Sequence, residues 1–148
     1  MKKVYLFLFS LLLVVAACKN EKPQEVYNPF ATPEGCIKEY LDARDSCDIV
    51  RMLKCYSYEP KYERIIREGL QKSLDDDARK KMYHPDYYYR TDSIKLKETY
   101  PNTAIVTVYY TDGYNKDDIS PFDYDMNLVK DSTNWKIETQ LSYSISAY

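Results

Sequence analysis

The chain begins with an almost unbroken apolar run and then changes twice in hydrophobic spacing. The run from Val4 to Ala17 follows two lysines and is shorter than the about twenty residues that span a bilayer. A basic start, a short apolar stretch and small residues before a cysteine are typical of an export signal. Residues 1–17 are therefore predicted to be a signal peptide that is cleaved before Cys18.

Apolar residues at three- and four-residue spacing predict helices in the first half of the remaining chain. Thr32 is a good N-cap followed by a proline suited to the first helical position, so a helix is expected from there to about Arg44. Asp45 or Ser46 is expected to cap a second, shorter helix. The segment from Pro60 to Met82 predicts one long helix or two short ones.

After Pro85 the spacing changes to the alternation that is typical of strands. Four strands are predicted, around residues 94–98, 104–111, 124–128 and 135–145. Helices that precede an antiparallel meander are the order of an α+β fold. We therefore expect N-terminal helices packed against an antiparallel sheet of about four strands.

The residues that end the apolar run add a prediction about the membrane. Val15, Ala16, Ala17 and Cys18 resemble the lipobox of bacterial lipoproteins. The resemblance implies a diacylglycerol and palmitate-type chains on Cys18, and several chains on one residue hold a domain durably at a membrane. Lys19 stands where an aspartate would favour the inner membrane. We therefore expect the outer membrane, with the domain facing either the periplasm or the exterior.

Length and charge indicate how many domains the mature chain has and which class of partner it does not bind. Residues 18–29 are polar and contain prolines, so they are expected to form a flexible tether that leaves residues 30–148 as a single domain. The chain has 21 basic and 23 acidic residues, and two of the basic ones belong to the signal peptide. This mild acidity argues against nucleic acid as a partner.

Four features together resemble the nuclear-transport-factor-2-like (SnoaL-like, cystatin-like) superfamily, and more narrowly its small bacterial lipoproteins of unassigned function. They are the helix start at Thr32, the short helix from Asp48 to Tyr56, the strand Thr103 to Tyr110 and the hairpin Leu128 to Lys136. The resemblance implies a strongly curved antiparallel sheet wrapped around helices, a cone with an apolar pocket. The superfamily includes isomerases, dehydratases and non-catalytic binding domains, so its fold does not decide the function.

Tyrosine is unusually frequent, at 17 of 148 residues. One dense run contains Tyr87, Tyr88 and Tyr89, which we take as a candidate binding face because tyrosine joins apolar area to a hydroxyl. The alternative is that these rings cover the half-buried outer surface of a small sheet.

No catalytic residue is assigned from the sequence. An enzyme of this fold would need polar groups inside the cone, and the strand-borne candidates are Asp125, Glu138, Tyr109 and Tyr124. Alternation places Asp125 on the face opposite Tyr124. A Cys/His pair is not supported, since His84 is the only histidine and no local signature surrounds a cysteine.

The acidic clusters do not predict a metal site, and no cofactor is expected. Oxygen ligands for calcium are available in one loop, at Asp112, Asn115, Asp117 and Asp118. Lys116 and Gly113 violate the EF-hand pattern there, so a solvated loop is the preferred interpretation. The run Asp75 to Asp77 is interpreted as charge on a helix surface or junction.

Three cysteines remain after lipidation, so at most one internal disulfide can form. Cys36 could pair with either Cys47 or Cys55. Two short segments, around Ser93 and Ser132, resemble an Asp-Ser/Thr-aliphatic acceptor for O-glycosylation, and Ser132 is the better candidate because it lies in a predicted turn.

The function expected from the sequence is a non-enzymatic, lipid-anchored binding or accessory domain of the cell envelope. Its partner would be a small ligand, a peptide or an envelope protein. The first alternative is a small pocket enzyme, isomerase- or dehydratase-like, that uses the cone interior. The second is a structural envelope protein that forms a homodimer through its sheet.

Overall fold

A computed structural model describes residues 27–114, 117 and 119–139. The predicted signal peptide, Cys18, most of the tether and the end of the last predicted strand lie outside these residues. The same holds for Asn115 and Asp118, two of the loop residues considered as oxygen ligands for calcium. Within the described residues, no helix has the length and apolar character needed to cross a membrane.

Three helices form the first half of the domain: α1 (Pro33–Asp45), α2 (Ile49–Lys54) and α3 (Glu63–Tyr83). α1 begins as predicted, because the Thr32 hydroxyl accepts a hydrogen bond from the Gly35 amide at 3.1 Å. The predicted cap of α2 is wrong. Ser46 closes α1 by donating to the Asp42 carbonyl, and Asp48 caps α2 by accepting from the Arg51 amide at 3.0 Å.

The segment from Pro60 to Met82 forms one long helix, preceded by a 3-10 turn at Pro60–Tyr62. Gly69 and the acidic run lie within α3 without interrupting it. One glycine in a long helix costs only about 1 kcal/mol relative to alanine, which the buried stripe of Ile66, Leu70 and Leu74 offsets.

The second half is a sheet of five strands among the described residues, ordered β1-β5-β4-β3-β2. The strands are β1 (Tyr56–Ser57), β2 (Tyr88–Thr99), β3 (Thr103–Gly113), β4 (Ser120–Asp131) and β5 (Asn134–Glu138). β2 to β5 form the predicted antiparallel meander. The sheet is nevertheless mixed, since β1 pairs with β5 in parallel.

β1 corrects the expectation that the short second helix extends to Tyr56. α2 ends at Lys54, and the Cys55 carbonyl accepts a hydrogen bond from the Ile137 amide at 2.7 Å. The backbone after Cys55 therefore runs beside β5 instead of completing another helical turn.

The long strands start earlier and end later than their hydrophobic alternation predicts. β2 already begins at Tyr88, and Asp112 belongs to β3 and not to a loop. β2 has two irregularities, between Thr91 and Ser93 and between Leu96 and Glu98. Bulges of this kind bend a strand and increase its twist, which agrees with a curved sheet.

Two hydrophobic clusters hold the layers together. α1 lies on one face of the sheet, here called the inner face, and contributes Cys36, Ile37 and Leu41 to a core with the strand residues Val106, Val108, Leu128, Trp135 and Ile137. The second cluster lies among the three helices, with residues Ala43, Met52, Leu53, Ile66, Leu70 and Leu74. The domain is therefore α+β, with helices packed on one side of the sheet.

Candidate functional site

Aromatic rings form a continuous band on the inner face at one end of the sheet. Tyr89 of β2 lies 5.4 Å from Tyr110 of β3, measured between ring centroids. Tyr110 lies 5.6 Å from both Phe122 and Tyr124 of β4. We call these four residues the aromatic band. Strand alternation places them on one face, and pairing of the three strands brings them together.

The band meets a second aromatic pair from α1 and β1. Tyr40 and Tyr56 contact edge to face, with ring centroids 5.6 Å apart. Burial raises the pKa of Tyr56 and of Tyr124 well above the ordinary tyrosine value, and neighbouring tyrosines add to the shift. Both hydroxyls therefore stay protonated at physiological pH and can donate hydrogen bonds.

An ion pair crosses from α1 to α3 beside the band. The Arg44 guanidinium donates to the Asp77 carboxylate, and both side chains are largely buried. Burial by itself would lower the pKa of Arg44, but the hydrogen bond and charge of Asp77 raise it overall. Arg44 also lies over the Tyr89 ring, 5.3 Å from its centroid.

Two surface openings meet at this ion pair. The first, which we call the tyrosine cleft, has a volume of about 370 Å³ and lies between α3 and the start of β2, with Tyr87, Tyr89 and Lys81 in its wall. The second has a volume of about 750 Å³ and extends from Arg44 and Asp77 along α3 to the aromatic residues Tyr83, His84 and Tyr114. The ion pair lines both openings.

The three consecutive tyrosines predicted as a binding face do not share one face. Tyr87 and Tyr89 both line the tyrosine cleft. Tyr88 is the residue between them, and its ring lies 5.8 Å from the Arg90 guanidinium. Because strand residues alternate, Tyr88 and Arg90 lie on the outer face, away from the cleft.

Tyr87 interacts with Asp112. Burial raises the pKa of Tyr87, and its hydrogen bond with Asp112 raises it further. Lys80 lies over the Tyr87 ring at 5.7 Å, and the Tyr114 ring is at the same distance. Asp112 is thus a support for the cleft wall and not a loop ligand for a cation.

Two buried polar atoms at this end of the sheet have no partner within hydrogen-bond distance among the described residues: Oδ1 of Asp112 and the Tyr89 hydroxyl oxygen, which interacts weakly with Tyr124. Tyr89 and Asp112 are also direct register partners on β2 and β3. Buried polar atoms in folded proteins are nearly always paired, with protein or with bound water. Because both atoms are closed off from solvent, the partner that such atoms usually have is an enclosed water molecule.

Sequence reasoning missed Arg44, Asp77 and Asp112. The sequence predicts that Asp77 belongs to a charge run on a helix surface or junction, and its neighbours do lie on the surface: Asp75 accepts a hydrogen bond from Gln71, and Asp76 pairs with Arg79. Helical periodicity places Asp77 near the buried stripe that contains Leu74. That periodicity was a usable signal for Asp77, whereas the partner on α1 was not readable from the sequence.

The strand-borne catalytic candidates do not converge in the interior. Asp125 lies on the outer face, where it accepts hydrogen bonds from Thr107 at 2.7 Å and Lys97 at 2.6 Å. These bonds, that from Lys97 first, lower the pKa of Asp125. Tyr109 lies on the outer face as well, beneath Lys95, and Glu138 is exposed. Tyr124 alone among the four faces the helices.

The structure also places the residues considered for metal binding, disulfide formation and glycosylation. No group of His, Cys, Asp or Glu among the described residues is arranged to hold a metal ion. Cys36 and Cys55 are buried free thiols, and the Cys36 Sγ donates to the Cys55 carbonyl at 3.6 Å, whereas Cys47 is exposed. Ser132 is exposed at the tip of the β4–β5 hairpin, and Ser93 is half-buried within β2.

No protein-family model and no curated protein matches the sequence. Among solved structures, the chain is similar to a Campylobacter jejuni protein described as a candidate NTF2-like transpeptidase, with a TM-score of 0.53 and 13% identity over 74% of this chain and 99% of that one. Another similar structure is an NTF2-like protein of unknown function from Shewanella oneidensis MR-1, with a TM-score of 0.38 and 13% identity over 69% of this chain and 88% of that one.

At 13% sequence identity, a similar structure shows that two proteins share a fold and not that they share an activity. The first similarity covers nearly the whole of the Campylobacter protein, and it agrees with the helices packed on a bent sheet described above. The chain therefore has the NTF2-like fold.

Proposed function

We propose that this protein is a non-enzymatic binding domain, anchored to the cell envelope through lipid on Cys18, that holds a small ligand in the tyrosine cleft. On this proposal it is one of the small exported lipoproteins of the SnoaL-like group. The observation that carries the binding role is the convergence of Tyr87, Tyr89 and the Arg44–Asp77 ion pair on one cleft. Concave sites with aromatic walls and a few placed polar groups are typical of ligand binding.

The filled interior supports a binding role over the pocket enzyme. Beneath the aromatic band the space between α1 and the sheet is occupied by apolar side chains, among them Ile37, Val106 and Leu128, all of which are fully buried or nearly so. Asp125 and Glu138, the acids considered for proton transfer, lie outside this space. A general base must reach its proton within hydrogen-bond distance, directly or through one water.

The charged outer face argues against the structural homodimer. Ion pairs Arg90–Asp92 and Lys97–Asp125 lie on this face of β2 and β4. Permanent dimer interfaces are depleted in charge at their centre and are more apolar than the rest of the surface.

The start of the domain supports a tethered arrangement. The Asn28 side chain accepts from the Phe30 amide at 3.0 Å and donates to Asn134 of β5 at 3.2 Å, so the chain is fixed to the sheet from this point. The stretch between Cys18 and Tyr27 could extend at most about 30 Å at 3.3–3.6 Å per residue. On this proposal the domain stays close to the outer-membrane surface.

The binding role is tested by a thermal-shift and ligand-observed NMR screen of the full chain against a library of small molecules. Hits are repeated with Tyr87→Ala and Tyr89→Ala, and with Tyr88→Ala as the control on the opposite face. We expect hits whose affinity falls at least about tenfold, or 1.4 kcal/mol, in the two cleft variants and stays unchanged in the control. Hits that bind both cleft variants as tightly as the wild type would overturn the assignment of the site.

The anchor is tested by metabolic labelling with radioactive palmitate in the producing bacterium, followed by detergent phase partition. We expect the wild-type chain to be labelled and to enter the detergent phase. The Cys18→Ala variant should be unlabelled and remain with its signal uncleaved. Equal labelling of both proteins would refute lipidation at Cys18.

A further inference from the structure

We infer that Cys36 and Cys55 form an intramolecular disulfide in the exported protein, with Cys47 as the remaining thiol. This inference requires the export of the chain, which is part of the proposed function, and does not require the binding role. Disulfides form and persist outside the cytoplasm, where the signal peptide is expected to deliver this domain. The contact between two buried thiols, and the distance of the third cysteine from both, determine the pairing.

The Cys36 and Cys55 side chains meet in the core between α1 and the sheet. Both residues are fully buried, and Cys36 Sγ lies 3.6 Å from the Cys55 carbonyl oxygen. The two thiols also interact with each other, and this interaction is the largest cause of a lowered pKa at Cys36 and of a raised pKa at Cys55. Two thiols that are 19 positions apart in the chain are therefore neighbours in the fold.

Cys47 is too far from Cys36 to pair with it. Cys36 lies in the first turn of α1, where its amide donates to the Thr32 carbonyl at 3.1 Å. The Cys47 amide donates to the Arg44 carbonyl at the other end of the helix. The helix rises about 12 Å between Cys36 and Arg44, whereas the Cα atoms of a disulfide are at most about 7 Å apart. The fold therefore excludes a Cys36–Cys47 bridge.

α2 separates Cys47 from Cys55 in the same way. Cys47 precedes this helix, and Cys55 is its C-cap. Its six residues rise about 9 Å, which also exceeds the reach of a disulfide. Cys47 is exposed, whereas Cys55 is fully buried. Cys36 and Cys55 are therefore the pair among these three cysteines that the fold brings together.

The hydrogen bonds around the two thiols tolerate their oxidation. Each thiol donates to a backbone carbonyl: Cys36 to that of Cys55 and Cys55 to that of Arg51, at 3.4 Å. The Cys55 carbonyl keeps the Ile137 amide as a donor when the Cys36 proton is lost. Because S–H is a weak donor, a disulfide removes little hydrogen bonding from the core.

Oxidation needs a partner that accepts two electrons, and this partner is the disulfide of an envelope thiol–disulfide oxidoreductase. The reaction takes place during folding, before α1 covers the sulfurs. The Cys36 thiolate attacks the oxidant, whose S–S bond breaks to give a mixed disulfide and one released thiolate. The Cys55 thiolate then attacks the Cys36 sulfur, forms the internal bond and releases the second oxidant thiolate. The oxidant takes up the two protons that the cysteines lose and is left as a dithiol.

The bond ties the helical layer to the sheet. Cys36 belongs to α1, and Cys55 directly precedes β1, which pairs with β5. α1 also carries Arg44 of the candidate site. A cross-link between the layers restricts the unfolded chain, so the oxidised protein should have a thermal midpoint about 10 °C above that of the reduced protein.

The first experiment maps the thiols of the full chain taken from the producing bacterium. Cells are quenched with acid, and the denatured protein is alkylated with N-ethylmaleimide, which blocks free thiols and preserves disulfides. Basic residues between the cysteines let trypsin place all three on separate peptides. Mass spectrometry without reductant should find the Cys36 and Cys55 peptides linked and Cys47 alkylated. Alkylated Cys36 and Cys55, or a link from Cys47 to either, would overturn the inference.

Reduction of matched variants separates the bond from the packing of the side chains. In the wild type and in Cys47→Ala, a reductant should lower the thermal midpoint by about 10 °C. Cys36→Ala and Cys55→Ala cannot form the bond, so their midpoints should not respond to the reductant even if packing defects lower both. No response in the wild type, or an equal response in all four proteins, would contradict the disulfide.

Oxidation of the purified chain tests the fold apart from the compartment. Reduced full-length protein is refolded in a buffer of reduced and oxidised glutathione and should form the same link. Thiols in the cell that link in this buffer would overturn the inference at the compartment, and palmitate labelling at Cys18 then decides whether export fails as well. Thiols in both settings would overturn it at the fold and leave the export and the binding role standing.

Discussion

Arg44 on α1 and Asp77 on α3 form an ion pair that joins two helices and lines two surface openings. Only 21% of the Arg44 side chain and 27% of the Asp77 side chain are exposed. Removing Asp77 leaves the Arg44 charge in a largely buried position without its carboxylate partner, whereas Asp77 also has Lys80 at 4.0 Å. The pair therefore links the stability of the helical layer to the shape of the candidate site.

The first prediction concerns this pair. We expect Asp77→Ala to lower the free energy of unfolding by about 1–3 kcal/mol, less than for a fully buried pair because water still reaches both groups. Glu68→Ala removes the exposed partner of Arg64 on the same helix and should change it by less than about 0.5 kcal/mol. Urea titrations followed by Trp135 fluorescence measure both. Equal effects would mean that the Arg44–Asp77 pair is no stronger than a surface pair.

The second prediction compares two hydroxyls of the tyrosine cleft without ligand. Because the Tyr89 hydroxyl is buried with no partner within hydrogen-bond distance and interacts only weakly with Tyr124, Tyr89→Phe should leave stability unchanged or raise it by up to about 1 kcal/mol. Tyr87→Phe removes the hydrogen bond to Asp112 and should cost about 1 kcal/mol. The midpoints of urea unfolding measure both changes in stability. A clear loss in Tyr89→Phe would show that its hydroxyl has a partner.

The third prediction is a loss of stability at alkaline pH. Burial raises the pKa of Tyr56 and Tyr124 above the ordinary value of 10. The unfolded chain therefore releases these protons at a lower pH than the folded chain, so their contribution is complete below about pH 10 and is lost as pH rises above it. Each should add a slope of up to about 1.4 kcal/mol per pH unit.

Urea titrations from pH 8 to pH 11 measure this slope, with Tyr124→Phe expected to reduce it. Tyr27, a residue that is 74% exposed, provides the matched control Tyr27→Phe, which should keep the slope of the wild type. A wild-type slope that persists unchanged in Tyr124→Phe would contradict the assignment. Absorbance at 295 nm of the native protein gives an independent record of tyrosine ionisation.

The fourth prediction concerns thiol reactivity. Cys47 is exposed, whereas Cys36 and Cys55 are fully buried between α1 and the sheet. With all three thiols reduced, a maleimide should therefore label Cys47 rapidly in the native protein and label the other two only after unfolding in urea. Peptide mass spectrometry identifies the labelled sites. Rapid native labelling of Cys36 would be incompatible with the packing of α1 on the sheet.

The fifth prediction uses two helical glycines as a matched pair. A Cβ at Gly35 would lie 2.3 Å from the Pro29 carbonyl oxygen, so Gly35→Ala must displace the turn before α1 and should cost about 1–3 kcal/mol. A Cβ at Gly69 would meet nothing within 4 Å, and Gly69→Ala should stabilise the protein by about 0.5–1 kcal/mol. Thermal unfolding shows which of the two variants is more stable. The reverse order would contradict the close contact at Gly35.

Local patterns predicted most of the secondary structure because they act over a few residues. The start of α1 follows from Thr32, and the meander follows from alternation along β3 and β4. The error at β1 has a long-range cause: Tyr56 fits a helical stripe, and only β5, some eighty residues later, gives it a strand partner. Irregularities in β2 are equally invisible in a pattern of apolar and polar residues.

The candidate site depended still more on distant pairing. The sequence drew attention to Tyr87, Tyr88 and Tyr89, but the direction of each ring depends on where β2 begins and how it pairs with β3. Because β2 begins at Tyr88, the Tyr88 ring lies on the outer face, whereas Tyr87 and Tyr89 line the cleft. Asp112 is expected in a loop, but it lies in β3 and interacts with Tyr87.

The sequence by itself determined the order of helices and strands, the excess of tyrosine and the placement of Asp125 opposite Tyr124, because helix and strand periods assign each residue to a face. Only the tertiary structure decided which faces meet. It brought Arg44 of α1 to Asp77 of α3, and Tyr89 of β2 to the same cleft, because packing of the layers joins residues far apart in the chain.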